Sequence, residues 1–235
     1  MKKEPLHCED CGAKDKGIFC ELEKSVLAEV DAHKISNVYK KGQTLFFQGN
    51  PPHGLYCVST GKIKISKIGP DGKESIVRIA SAGDVIGHRS LFTHEHYNAT
   101  ASAIEDSHIC FIDKQYIFKL VAKDPSVALN LIQNLSHDLG VAENKVASLS
   151  QKNVRERLAE LLLSLKETFG IKEEKRIRLD IKLTREEMAS LIGVANETLI
   201  RFLTELKDEK IIDQDGKVLY ILDEEKLLEF ANLSY

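Results

Sequence analysis

Leu183-Thr184-Arg185-Glu186-Glu187-Met188-Ala189-Ser190-Leu191-Ile192-Gly193-Val194-Ala195-Asn196-Glu197-Thr198-Leu199-Ile200-Arg201-Phe202-Leu203-Thr204-Glu205-Leu206 reads as two short helices joined by a tight turn. Thr184 stands where an N-cap belongs, and Glu187, three residues on, closes a capping box. Gly193 supplies the left-handed conformation that ends the first helix. In the second, Leu199, Phe202, Leu203 and Leu206 recur at helical spacing and form the buried side. Asn196, Glu197, Ile200 and Arg201 are then expected to face outward at its N-terminal end. Two helices across a glycine turn predict a helix-turn-helix, whose second helix enters the major groove by its N-terminal end. Arg201 offers a bidentate pair to guanine O6 and N7, and Glu197 an acceptor for cytosine N4. Four residues apart, the two also suit a helix-surface ion pair, and both roles are compatible.

Beyond the second helix, Ile211 to Tyr220 reads as a β-hairpin, a wing beside it. Thr184 and Lys217 complete the expected DNA-contacting set. Residues 153–169 carry Leu158, Leu161, Leu162 and Leu165 at helical spacing, and Gly170 with Glu173-Glu174-Lys175-Arg176 reads as a loop. Residues 152–235 hold 15 Lys and Arg against 18 Asp and Glu, so DNA must be met by local cations: Lys182, Arg185, Arg201, Lys207 and Lys217. That predicts modest non-specific affinity and strong salt sensitivity. Upstream, Pro125 opens a long helix on which Ala128, Ile132, Leu135, Leu139, Ala142, Val146 and Leu149 advance by alternating steps of four and three. A helix packed on its own domain usually carries a wider apolar face. This narrow seam, flanked by Asn134, Asp138, Glu143, Asn144 and Lys145, suits a dimer coiled coil.

From Ser36 to Asp113 the pattern changes. Eight of the fourteen glycines fall between residues 42 and 87, separating short β-rich runs such as Thr44-Leu45-Phe46-Phe47 and Lys62-Ile63-Lys64-Ile65-Ser66. Pro70-Asp71-Gly72 is a hairpin turn signal. Many short strands at regular spacing predict an antiparallel barrel or jelly roll, preceded by a short helix over residues 21–32. The expected class is α+β, divided into a cysteine-bearing segment at 1–20, a roll at 21–124, a dimerisation helix at 125–151 and a winged helix-turn-helix at 152–235.

No run approaches the roughly 18 apolar residues of a membrane span, and the first residues lack the apolar region of a signal peptide. A net charge of −3 excludes a globally basic nucleic-acid coat. The odd count of five cysteines, with no export signal, predicts a reducing, cytoplasmic setting. Cys8, Cys11 and Cys20 lie among acidic, basic and glycine residues, where packing does not explain three thiols. Cys57, in an apolar run, reads as core filler; for Cys110, between Ile109 and Phe111, and for Cys20, at a helix start, burial is the alternative to a ligand role. His94-x-His96 on a strand would put both rings on one face; a solvated loop is the plainer reading.

A glycine-punctuated roll, a dimerising helix and a winged helix-turn-helix, in that order, resemble the CRP/FNR family of bacterial transcription regulators. Three segments carry the resemblance: Lys41-Gly42-Gln43-Thr44-Leu45-Phe46-Phe47-Gln48-Gly49, Gly83-Asp84-Val85-Ile86-Gly87-His88-Arg89-Ser90-Leu91-Phe92, and Gly193 through Leu203. It implies a cyclic-nucleotide-binding-type roll, double-stranded DNA with a palindromic operator, a homodimer interface through Ile132, Leu135, Leu139, Ala142, Val146 and Leu149, and RNA polymerase as a further partner. The effector pocket is implied at Gly87, His88, Arg89, Ser90, Asn98 and Ala99. Cyclic-AMP-binding members carry a Glu where His88 stands and an Arg-Ser pair where Asn98 and Ala99 stand, so cyclic AMP is not the expected effector. The oxygen-sensing FNR branch holds a [4Fe–4S] cluster on three N-terminal cysteines and one in the roll, positions that Cys8, Cys11, Cys20 and Cys110 match in order. The gap from Cys11 to Cys20 is longer than in the best-known members. Zinc, a thiol switch, a small molecule or haem on His88 stay open beside the cluster.

Two other function classes compete. A thiol oxidoreductase built on Cys8-x2-Cys11 would need that pair at a helix N-terminus in a βαβ unit, and no such unit is present. A regulatory module without DNA binding leaves the second helix of the 183–206 stretch unexplained. No catalytic triad, P-loop or dinucleotide fingerprint appears, so no enzymatic activity is expected.

Overall fold

The computed structural model of the protein describes residues 7–14, 16–19 and 22–232. The chain divides into two compact units between Val141 and Ala142, inside one long helix. In the first unit, α1 (Lys24–His33) is followed by β1 (Lys34–Tyr39), β2 (Thr44–Phe46), β3 (Gly54–Thr60), β4 (Ile63–Ile68), β5 (Glu74–Ala80), β6 (Val85–Ile86), α2 (His88–Thr93), β7 (Thr100–Ala103) and β8 (Ser107–Asp113). Then come α3 (Lys114–Lys123) and α4 (Pro125–Gln151). The strands make two antiparallel four-stranded sheets, ordered β1-β8-β3-β6 and β2-β7-β4-β5. The expected turn at Pro70-Asp71-Gly72 joins β4 to β5, closed by a 2.9 Å bond from the Gly69 N–H to the Lys73 carbonyl.

Strands β3, β6 and β8 of the first sheet are largely buried on both faces, whereas the edge strand β1 is mostly exposed. Val58, Ile86 and Ile109 meet Phe46, Ile63 and Ala101 of the second sheet. Leu55, Val85 and Ile112 on the other face pack against Val26 and Val30 of α1, Ile117 and Leu120 of α3, and Val127 and Leu131 of α4. Ile18 of the N-terminal segment joins that second core at 1% exposure, and the Asn130 carboxamide donates to its carbonyl at 3.1 Å.

The second unit begins with the end of α4 and continues with α5 (Val154–Phe169), β9 (Gly170–Lys172), β10 (Ile177–Leu179), α6 (Arg185–Ile192), α7 (Asn196–Asp208), β11 (Ile212–Asp215), β12 (Val218–Ile221) and α8 (Glu224–Phe230). Asn153 caps α5 in a capping box with Glu156. The capping box of Thr184 and Glu187 opens α6, and Gly193 ends it at φ +67. The expected loop around Gly170 and 173–176 is instead the turn of a hairpin, β9 to β10. It extends the wing into one sheet ordered β11-β12-β10-β9. Three-residue strands carry too little period to be told from a loop. Among the described residues no helix is long and apolar enough to cross a membrane.

Candidate functional site

Three places carry chemistry: the outer side of α7, the turn around α2, and a cavity under α1. On α7, Leu199, Leu203 and Leu206 are buried, and Glu197, Ile200 and Arg201 are exposed. Arg201 makes no ion pair with Glu197 among the described residues; its guanidinium lies 4.9 Å from the Phe202 ring centre. Asn196 departs from the expected outward position. It is half-buried, and its side-chain oxygen has no hydrogen-bond partner. The Thr184 hydroxyl is engaged as a cap, accepting from the Glu187 N–H at 3.1 Å. Arg185 is tied to Gln214 of the wing, and Lys217 stands exposed at the wing turn.

Acids neutralise many of this unit's cations. Arg155 pairs with Glu209 at 2.6 Å, Arg176 with Glu173 at 2.7 Å and Arg178 with Asp180 at 2.9 Å. Lys182, Arg201, Lys207 and Lys217 form no ion pair among the described residues. The acidic net charge of the unit therefore leaves cations available on and near its helix-turn-helix and wing.

Around α2, Gly87 holds φ +88 before the helix begins. His88 is 5% exposed. Its Nε2 lies 3.5 Å from Asp138 Oδ2, and its Nδ1 is buried without a partner. Arg78 binds the other Asp138 oxygen at 2.5 Å and donates to the Val85 carbonyl at 3.2 Å. Asp138, expected to flank the dimer seam, thus faces the roll. Burial works against its charge, but His88 and Arg78 outweigh burial and hold the carboxyl below its ordinary value. Ser90 is buried and donates to the His96 carbonyl at 3.2 Å. Ala99 lies in the roll core. Arg89 turns outward, 3.6 Å from Glu95, where the Asn98 carboxamide also meets it. His94 is the left-handed cap of α2 and lies on no strand, so it does not share a strand face with His96.

Cys8 and Cys11 of the N-terminal segment, Cys57 of β3 and Cys110 of β8 line one cavity of about 60 Å³ with Lys14, Lys16 and Lys34. That is several times what one water needs. Cys57, read as core filler, faces this cavity opposite Cys110. Cys20 lies outside the described residues. All four described thiols are free. Cys11 Sγ is 3.3 Å from Ser59 Oγ, and Cys110 Sγ is 3.4 Å from Ser36 Oγ. Asp31 anchors the segment: it accepts from the Cys8 N–H at 2.7 Å, lies 2.7 Å from His7 Nδ1 and binds the Lys34 ammonium. Burial opposes the Asp31 charge, yet these partners keep its carboxyl well below the usual range. Burial pushes the Cys8 thiol up to about 12 and raises Cys57 and Cys110 as well. A metal taking these thiols must displace their protons. Among the described residues no three His, Cys, Asp or Glu side chains stand together as a ready-made single-ion site.

A double-sheet roll, a long helix and a winged helix-turn-helix together have the build of a DNA-binding regulator. Residues 36–124 match the family described as cyclic nucleotide-binding domain, and residues 156–230 match the Crp-like helix-turn-helix domain. The fumarate and nitrate reduction regulatory protein of Vibrio cholerae is 29% identical over 97% of this chain and 92% of its own length. A CRP-like cAMP-activated global transcriptional regulator of Mycobacterium tuberculosis is 30% identical over 92% of this chain and 96% of its own. Among solved structures, FixK2 from Bradyrhizobium japonicum shares the fold with TM-score 0.75 at 23% identity, covering 84% of this chain and 96% of that one. The chain belongs to the CRP/FNR family of transcription regulators. It is a DNA-binding regulator, and its relatives are regulators rather than enzymes.

Replacing Asp138 with Asn leaves Arg78 and His88 facing a neutral group. The expected cost near pH 7 is about 1.5–3 kcal/mol in urea unfolding. Because the folded carboxyl is held below its unfolded value, the stabilisation is complete above about pH 4 and is lost as the pH falls further. The gap between wild type and Asp138→Asn should therefore narrow below that pH; a gap that stays constant would contradict the pairing.

Proposed function

We propose that the protein is a homodimer that binds a palindromic operator and reads the state of a [4Fe–4S] cluster held by Cys8, Cys11, Cys20 and Cys110. The observation that carries the sensor is the shared cavity: Cys8 and Cys11 from the N-terminal segment meet Cys110 from the last roll strand there. Soft thiolates are the donors such a cluster takes, and Lys14, Lys16 and Lys34 supply positive charge beside them. When bound, the cluster supplies an oxygen-sensitive iron centre. Asp31 acts as a positioning residue, fixing the backbone of Cys8 beneath α1. Cyclic AMP fits less well. Arg78 is committed to Asp138, and Arg89 faces Glu95, so both arginines near α2 already have acidic partners.

The dimer is supported by α4. Ile132, Leu139 and Val146 are 58%, 60% and 67% exposed, with Leu149 and Ala142 also exposed and Leu135 half-buried. A stripe of large apolar side chains along one helix suits a partner helix. Two copies of α7 would then enter successive major grooves, roughly 34 Å apart. RNA polymerase is the further partner this reading implies.

Protein purified without oxygen should contain iron and acid-labile sulfide in equal amounts and show a broad visible absorbance that bleaches in air. Cys110→Ser should lose both. Colourless, iron-free protein would remove the cluster. On the DNA side, Arg201→Ala should cost about 1–3 kcal/mol of discrimination between operator and unrelated duplex, with the dimer intact by sedimentation. Retained sequence preference would refute the assignment of Arg201 as a base reader.

A further inference from the structure

The cluster reading leaves one thiol of the cavity unused. Cys57 on β3 stands directly opposite Cys110 on β8 in an antiparallel ladder. Opposed residues in such a ladder have Cα atoms about 4.5 or 5.5 Å apart, depending on their place in it. Both separations fall within the span of a disulfide. The two side chains leave the sheet on the same face. Leu55 and Ile112, two residues along each strand and themselves opposed, belong to the core under the helices. Val58 and Ile109, also opposed, belong to the core between the sheets. The Cys11 sulfur lies beside Ser59, which lines the same cavity as Cys57 and Cys110.

We propose that Cys57 and Cys110 are a redox-active dithiol that closes to a cross-strand disulfide when no metal occupies the cavity. The oxidant is a hydroperoxide. One sulfur attacks the peroxide oxygen, the O–O bond breaks, and an alcohol (or water, from hydrogen peroxide) leaves. The second sulfur attacks the resulting sulfenic sulfur, the S–S bond forms, and water leaves. Two electrons pass from the sulfurs to the O–O bond, and the two thiol hydrogens end in the alcohol and the water. The disulfide removes Cys110 from metal binding until a thiol reductant reopens it. This competition rests on the cluster reading; the dithiol itself does not.

The test uses the full chain, stripped of metal by a chelator without oxygen, then treated with hydrogen peroxide, alkylated and mapped by mass spectrometry without reduction. The expected result is a peptide pair linked through Cys57 and Cys110, lighter by two hydrogens than its reduced parts and released by dithiothreitol. Cys57→Ser should lack that pair. Complete alkylation of Cys57 after oxidation, or linkage only among Cys8, Cys11 and Cys20, would overturn the proposal. The map is read on metal-free wild-type protein, so a failed cluster assignment does not decide it, and a disulfide that never forms leaves the anaerobic iron content untouched.

Discussion

Strands β8, β3 and β6 must bury two faces at once. A pleated strand sends successive side chains to opposite sides, so β3 places Val58 against the second sheet and Leu55 and Cys57 beneath the helices, while β8 does the same with Ile109, Ile112 and Cys110. The inner face is sealed by the roll itself. The outer face needs other cover, and α1, α3, the start of α4 and the N-terminal segment supply it. Ile18 docks that segment, Asn130 of α4 binds its backbone, and Asp31 of α1 fixes Cys8. The N-terminal thiols thus reach the strand thiols because an apolar sheet face has to be covered.

What could be read from the sequence divides by range. The helix-turn-helix is legible because its signals are local: a capping residue, a glycine turn and an apolar period fall within one short stretch. Pro125 marks the start of α4 for the same reason. The roll is legible as a class from its glycines, but its pairing is not. Cys57 alternates correctly with Val58, yet nothing local says that β3 lies against β8. The cavity shared with Cys110 is therefore visible only in the folded chain. Asp138 shows the converse limit. Its place beside the a/d stripe suits a solvated flank, and only the distant His88 and Arg78 turn it towards the roll. The β9–β10 hairpin is missed because its strands are too short to show a period.

In the proposed mechanism α4 is the element that both ends of the signal touch. Val127 and Leu131 pack in the core behind the cysteine cavity, Asp138 answers to the α2 turn, and the exposed stripe from Ile132 onward meets the partner. A change in how the N-terminal segment seats on the sheet alters the surface against which α4 packs. Such coupling is allosteric only if the signal favours one packing of the helices over another.

The most direct test is operator affinity measured at fixed salt on one preparation before and after exposure to air, in wild type and in Cys110→Ser. The account predicts that air weakens wild-type binding by roughly 5–150-fold, the usual scale of such coupling. It also predicts that Cys110→Ser, already uncoupled, binds weakly in both states. Equal operator affinity with and without air in the wild type would contradict a sensor on the cysteine face of the roll.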